Sequence, residues 1–176
     1  AGKYSGFKVY HVYANRKDTL QAEPQEYIPE WVWELSNRYS LAIMLHMVRA
    51  RAMADPINQS YIREHCLQYP DAKLILAHAA RGFCGNHTTE GIASLRGIDN
   101  VFFDTSAICE PQPFEAILRE FGTSRLLFGT DFSVSEIFGR CVSIGDGFFW
   151  LGEENVNWES TTFAKPVRVG LESLLA

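Results

Sequence analysis

Lys73-Leu-Ile-Leu-Ala-His78 is the stretch that decides the fold, and Arg125-Leu-Leu-Phe-Gly-Thr-Asp131 repeats its design further along the chain. A third run of the same kind is Leu41-Ala-Ile-Met-Leu-His46. Each run is short and nearly continuously apolar, and each ends in a side chain that can bind a metal ion. Runs that are apolar on both faces are typical of strands in a parallel sheet covered on both sides.

The ends of these runs predict a shared site. Parallel strands end at the same edge of a sheet, so side chains that close successive strands can converge even when they are far apart in sequence. We therefore expect His46, His78 and Asp131 to form a metal site.

The composition bounds the class of protein. The chain has 176 residues, of which 47% are hydrophobic and 21% charged, which is typical of one globular domain spanning residues 1–176. A net charge of -5 with scattered Lys and Arg argues against a nucleic-acid partner. No apolar stretch approaches the roughly 20 residues that cross a bilayer, which argues against a membrane partner.

The cysteines and the first residues predict a cellular compartment. No Cys-x-x-Cys spacing occurs, and residues 1–6 lack signal-peptide architecture. We therefore expect a cytoplasmic protein with reduced thiols at all four cysteines: Cys66, Cys84, Cys109 and Cys141.

The order of elements predicts an α/β fold. We predict strands at 6–13, 41–46, 73–78, 100–106 and 126–130, with helices at 24–39, 57–68, 89–95, 111–121 and 166–175. This alternation is typical of a parallel sheet with right-handed crossovers. Periodicity alone leaves open whether the sheet is doubly wound or is part of a closed barrel.

Residues 133–160 break the alternation of strands and helices. We predict an insertion here, a covering loop or cap with some helix, because the segment is too apolar for a linker. Its aromatic residues are expected to serve packing, or alternatively to cap the site: Phe138, Phe148, Phe149, Trp150 and Trp158.

Five segments in order carry a resemblance to a known family. They are Gly6-Phe-Lys with His11, Leu45-His46, Tyr69-Pro-Asp-Ala-Lys-Leu-Ile-Leu-Ala-His78, Asn100-Val-Phe-Phe-Asp-Thr-Ser106 and Arg125-Leu-Leu-Phe-Gly-Thr-Asp131. Each is weak alone, but the ordered series resembles the amidohydrolase superfamily, most closely its amidohydrolase-related branch of metal-dependent hydrolases, lactonases and non-oxidative decarboxylases. The resemblance implies a TIM-barrel type fold, with these segments as strands four to eight of a (β/α)8 barrel.

The resemblance also implies roles for individual residues. His46 corresponds to a metal ligand, and His78 to a second ligand or an acid/base catalyst. Asp131 corresponds to the aspartate that binds the metal or its water and acts as general base. The implied cofactor is a divalent metal, zinc in the first place and manganese as the alternative. His11 falls near the polar position of the fourth strand, with burial against the sheet as the alternative.

One feature departs from the family's pattern. The family's first strand carries a His-x-His pair, and this sequence contains none. The resemblance therefore implies that the chain is the C-terminal part of a barrel, an incomplete barrel that needs either a second copy of itself or a complementary N-terminal segment.

Several other polar residues are candidates for supporting roles. Arg81 follows His78 by three positions, where it can hold a substrate carboxylate, or can be a solvated loop charge. Asp104 is expected to be structural or to support a ligand. His87 is expected to cap a helix or to line the pocket mouth, with a structural role favoured.

Two functions from different classes follow. The first is a metal-dependent enzyme that acts through metal-activated water on a small carboxylate-bearing or cyclic substrate, by hydrolysis or by non-oxidative decarboxylation. The second is a catalytically inert partial barrel that serves as a binding or assembly subunit. A nucleotide-binding open sheet is disfavoured, because no Gly-x-Gly-x-x-Gly or phosphate loop follows a strand.

Overall fold

Five parallel strands form the central sheet in a computed structural model that describes residues 4–157 and 166–176. The strands lie side by side in chain order: β1 (Gly6–Tyr10), β2 (Ala42–His46), β3 (Lys73–Leu76), β4 (Val101–Asp104) and β5 (Leu126–Leu127). Every neighbouring pair is parallel.

This strand order resolves the ambiguity that periodicity left. In a doubly wound sheet the order reverses at a switch point, which places helices on both faces. Here each crossover moves to the next neighbour in the same direction. Right-handed crossovers of that kind put the helices on one face and curve the strands toward a barrel. The sheet is therefore of the partial TIM-barrel type.

Capping residues explain where two of the helices begin or end. The helices are α1 (Glu30–Tyr39), α2 (Pro56–Gln68), the short left-handed turn α3 (Ala77–Arg81), α4 (Gly85–Gly91), α5 (Gln112–Phe121) and α6 (Val169–Leu175). The Asp55 carboxylate accepts a hydrogen bond from the Ile57 amide at the start of α2, a favourable N-cap. Gly122 ends α5 with φ +69°, a conformation that glycine adopts without strain.

The two faces of the sheet differ. On the helix face, Ile43, Leu45, Leu74, Leu76 and Phe103 are fully buried. The residues between them face the other way and are half-buried or exposed, among them Lys8, Tyr10, Met44 and His46. The expectation of strands covered on both faces therefore holds only on the helix side. The opposite face corresponds to a barrel interior and carries the polar residues of the site.

The chain leaves β3 in an unusual conformation. Four successive residues are left-handed, with φ between 49° and 61°: His78, Ala79, Ala80 and Arg81. None is glycine, so this turn needs outside support. The His78 amide donates to Asp104 Oδ1 at 2.8 Å, and the Thr88 hydroxyl donates to the Ala79 carbonyl at 3.1 Å. These bonds from two neighbouring elements hold the turn that positions His78.

The insertion is built differently from the prediction. An antiparallel hairpin, β6 (Gly139–Ile144) and β7 (Gly147–Gly152), occupies its centre, and the helical part is one 3-10 turn at Val134–Glu136. An Ile-Gly-Asp-Gly turn between residues rich in β-branched and aromatic side chains is a hairpin signal that the prediction overlooked. The end of the predicted insertion, 158–160, and Trp158 lie outside the described residues.

Some predicted boundaries also shift. β1 ends at Tyr10, and His11 begins a 3-10 turn to Tyr13. The helix predicted at 89–95 starts earlier, as α4, and continues as a 3-10 turn (Ile92–Leu95). The last parallel strand stops at Leu127 instead of residue 130. One domain spanning 1–176 stays a prediction. Among the described residues, the helices are too short or too polar to cross a bilayer.

Candidate functional site

Two histidines meet at the carboxyl edge of the sheet. His46 is the last residue of β2, and His78 lies two residues beyond the end of β3. The register pairs Leu45 with Leu76, so the two side chains leave neighbouring strands at similar heights. His46 Nδ1 lies 3.1 Å from His78 Nε2.

A hydrogen-bond chain sets the orientation of His78. Ser106 Oγ donates to Asp104 Oδ1 at 2.7 Å, so its single proton is already used. Ser106 Oγ, 3.0 Å from His78 Nδ1, must then accept a proton from that nitrogen. This assigns the proton of neutral His78 to Nδ1 and leaves the lone pair of Nε2 directed at His46. Metal-binding histidines use such a partner on the far nitrogen.

Burial keeps both imidazoles neutral. Burial, together with the charges of His78 and Lys8, lowers the pKa of His46 to about 3. Burial also lowers the pKa of His78, although Asp104 and Asp131 oppose the shift. A neutral imidazole is the form that coordinates a metal ion.

The pair fits a shared divalent ion. Two nitrogens bound tetrahedrally to one zinc at about 2.0–2.1 Å are roughly 3.3 Å apart. The observed separation of His46 Nδ1 and His78 Nε2, 3.1 Å, is close to this value. Two imidazoles alone fall short of the three protein ligands of a catalytic zinc site.

Asp131, the third predicted ligand, lies nearby without joining the pair directly. It is half-buried, has φ +54°, and raises the pKa of His78 through its charge. Among the described residues, another trio has its potential ligand atoms closer together. All of these atoms lie within 4.8 Å of one another, and they belong to Cys84, His87 and Asp146.

The aromatic wall beside His46 comes from the end of β1. The ring of Tyr10 stacks on His46 at 5.3 Å between centroids, and His11 lies 5.7 Å from His46. His11 Nδ1 is 3.0 Å from the hydroxyl oxygen of Thr19. Burial lowers the pKa of His11, and the charge of Arg81 contributes to this. The structure thus brings His11 to the site from the turn that follows the strand.

Lys8 is a site residue that sequence reasoning missed. It shares the inner face of β1 with Tyr10, and its Nζ lies 4.9 Å from the centre of that ring. Burial lowers the pKa of Lys8, while the negative charges of Asp104 and Asp131 raise it. The sequence pattern that could have identified Lys8 is the two-residue period of a strand, which puts positions 8 and 10 on one face.

Arg81 lines a cavity at the β6–β7 turn, and besides burial its charge also lowers the pKa of His46. The cavity has a volume of about 280 Å³ and is bounded by Leu20, Gln21, Arg49, Ala50, Arg81, His87, Asp146, Gly147 and Phe148. The Arg81 guanidinium carbon lies 5.4 Å from the centre of the Phe148 ring. One of its nitrogens donates to the Arg49 carbonyl at 3.3 Å, while Nε is buried without a hydrogen-bond partner among the described residues. Burial lowers the pKa of Arg81.

Comparison with known proteins places the chain in a family. A family model described as Amidohydrolase matches residues 6–139. An amidohydrolase from Burkholderia multivorans, solved with bound HEPES, matches at 18% identity and a TM-score of 0.52, over 75% of this chain and 51% of that one. This likeness supports the fold.

Two further solved structures match less well. An amidohydrolase 2 from Bifidobacterium longum subsp. infantis shows 16% identity and a TM-score of 0.47, over 62% of this chain and 43% of that one. A dihydroxybenzoic acid decarboxylase from a Polaromonas species, solved with manganese and 2-nitroresorcinol, shows 20% identity and a TM-score of 0.39, over 58% and 42%. The chain spans about half the length of these structures. No curated protein matches it.

Proposed function

This chain belongs to the amidohydrolase family, and on that premise we propose that it carries the histidine pair of a metal-dependent hydrolase or non-oxidative decarboxylase. Its five parallel strands would be strands four to eight of the barrel. The substrate class is a small molecule that bears a carboxylate or a ring susceptible to hydrolysis.

The contact between His46 and His78 carries this proposal. Two neutral imidazoles from adjacent strands, 3.1 Å apart and supported by Ser106 and Asp104, form a donor set suited to zinc or manganese.

Different residues of this chain would bind the metal ion, transfer protons and shield the site from solvent. A divalent ion held by His46 and His78 supplies a Lewis acid and an acidified water. Asp131 stands at the same edge, where its carboxylate can take a proton from water and return it to a leaving group. Tyr10 and Phe83 shield the imidazoles from solvent, since their rings lie 5.3 Å from His46 and 5.2 Å from His78, respectively.

Arg81 would bind the substrate carboxylate. Arg81 lines the cavity, and its buried Nε–H has no hydrogen-bond partner among the described residues. A carboxylate in the cavity accepts that hydrogen bond and balances the buried charge.

With Asp131 acting as general base, the ligand set of this chain is one short. Two imidazoles are one fewer than the three protein ligands of a catalytic zinc site. A second copy of the chain or a complementary N-terminal segment would supply what is missing.

The test is the mass and metal content of the purified native protein, followed by assays with aromatic carboxylates and lactones. We expect near-stoichiometric zinc or manganese, and turnover that His46→Ala abolishes. His65→Gln, on α2 and away from the site, serves as the control. A 19.9 kDa chain that binds no metal and turns nothing over would overturn the proposal in favour of an inert partial barrel.

A further inference from the structure

Cys84, His87 and Asp146 form a second cluster of metal-binding side chains, separate from the His46–His78 pair. The ligand atoms of these three residues all lie within 4.8 Å of one another. Two of them, His87 and Asp146, also line the cavity beside Arg81. Cys84 immediately precedes α4, and His87 lies in the first turn of that helix, so the three-residue spacing puts both side chains on one side. Asp146 reaches them from the turn between β6 and β7.

We propose that these three residues bind a zinc ion that fastens the β6–β7 hairpin to α4. Thiolate, imidazole and carboxylate are the three ligand types that zinc takes in proteins, and three protein ligands leave one position for water. This site uses neither His46, His78 nor Asp131, so a metal signal that depends on Cys84 tests it separately from the proposed function.

The geometry is close to what zinc requires. Around a tetrahedral zinc, sulfur, nitrogen and oxygen ligands are about 3.3–3.6 Å apart. His87 Nε2 is 2.8 Å from Asp146 Oδ1, and the widest separation in the cluster is within 4.8 Å. Cys84 and His87 are buried, whereas the Asp146 side chain is 67% exposed. The exposed carboxylate at the hairpin turn is the ligand with freedom to adjust, and it leaves an entry path for the ion.

Present contacts of the cluster are weak or replaceable. Cys84 is a free thiol whose sulfur lies 3.8 Å from the Gly145 carbonyl, a long contact for a weak donor. Arg51 Nε lies 3.8 Å from the other Asp146 oxygen, but the same guanidinium also pairs with Glu90. Asp146 Oδ1 shares a hydrogen bond with His87 Nε2 at 2.8 Å, and an ion bound between these two atoms would replace that bond.

A metal here would act on the catalytic pocket through the hairpin. Phe148 and Trp150 of β7 lie 5.1 and 5.5 Å from Phe83 between ring centroids, and Phe83 stacks on His78 at 5.2 Å. Phe148 also lies under the Arg81 guanidinium. Fixing the hairpin turn to α4 thus holds the aromatic cover over His78 and Arg81.

The test is cobalt(II) titration of the metal-stripped chain, because cobalt replaces zinc and a cobalt–thiolate bond gives a near-ultraviolet charge-transfer band. We expect this band in the wild type and in His46→Ala, and its loss in Cys84→Ser. Cys66→Ser, which alters a buried cysteine on α2, should retain it. A wild type without the band, or a Cys84→Ser protein that keeps it, overturns the proposal.

Asp146→Asn covers the case in which Cys84→Ser fails to fold. Asp146 is exposed at a turn, so its substitution leaves the core intact. We expect cobalt binding weakened at least about tenfold, as for loss of groups that support a metal. Unchanged affinity contradicts the assignment. Zinc should also raise the melting temperature of the wild type more than that of Asp146→Asn.

Discussion

Ser106 Oγ lies 3.0 Å from Nδ1 of His78, on the opposite side of the ring from His46. Because the Ser106 hydroxyl proton is donated to Asp104, the serine acts toward His78 as an acceptor. This bond assigns the proton of neutral His78 and aims its free nitrogen into the site. The backbone of Ser106 belongs to the segment after β4, so a residue that follows β4 sets the protonation of one that follows β3.

Ser106→Ala should therefore weaken divalent metal binding by about 10–100-fold, the usual effect of removing the partner of a ligating histidine. Calorimetric titration with zinc or manganese measures the change. Ser94→Ala, whose hydroxyl bonds only the nearby Gly91 carbonyl, is the control and should bind metal normally. Equal affinities for Ser106→Ala and wild type would show that the hydrogen-bond chain does not tune the site.

Asp104→Ala should lower the free energy of unfolding by at least about 3 kcal/mol, because hydrogen bonds to a charged acceptor contribute about 1.5–3 kcal/mol each and their buried donors lose their partner. Asp104 Oδ1 accepts bonds from the His78 amide and from both the amide and the hydroxyl of Ser106. Urea unfolding is the measurement.

Asp99→Ala provides the comparison for Asp104. The Asp99 side chain is 99% exposed, and its ion pair with Arg125 is 3.5 Å long. Its removal should change the free energy of unfolding by less than about 1 kcal/mol. Similar losses for the two variants would mean that Asp104 does not support the left-handed turn.

Arg81→Met should reduce the affinity of a carboxylate ligand such as benzoate at least about tenfold, since one hydrogen bond to a charged group contributes roughly 1.5 kcal/mol or more. Methionine keeps much of the apolar contact with Phe148 and removes the charge. Arg38→Met, on the exposed end of α1, is the matched control. Benzoate binding that is lost equally in both variants would exclude a specific role for Arg81.

Stability should fall in alkaline solution through Cys66. Burial raises the pKa of this thiol from 9.0 to about 12. The folded chain keeps the proton where the unfolded chain loses it, so the contribution is complete below pH 9.0 and declines as the pH rises toward about 12. Between about pH 7.5 and pH 10 the loss is about 1.4 kcal/mol.

Cys66→Ala isolates this effect. The variant has no thiol at position 66, so its free energy of unfolding should decline less over the same pH interval, as measured by urea unfolding. Identical pH dependence for the variant and the wild type would contradict the burial effect. Other buried groups with raised pKa values, Tyr61 and Cys141, contribute equally to both proteins and cancel in the comparison.

Local sequence was a good guide to the strands and a weaker guide to the insertion. The apolar runs before His46 and His78 correctly predicted strands, although only the helix face of these strands is fully buried. The β6–β7 hairpin was mistaken for a loop with some helix, since abundant aromatic residues masked the turn signal at Gly145 and Asp146. Lys8 was missed because the prediction did not apply the two-residue period of the strand, which puts Lys8 on the same face as Tyr10.

The sequence by itself predicted apolar strands that lead to His46 and His78, because apolar periodicity is a local property of the chain, and its motifs carried the resemblance to the amidohydrolase family that the family model confirms. Only the tertiary structure decided the strand order, the 3.1 Å contact between the two imidazoles, and the support from Ser106 and Asp104. It also decided that Asp146 meets Cys84 and His87. These contacts join residues distant in sequence, and their existence depends on how crossovers and a hairpin pack.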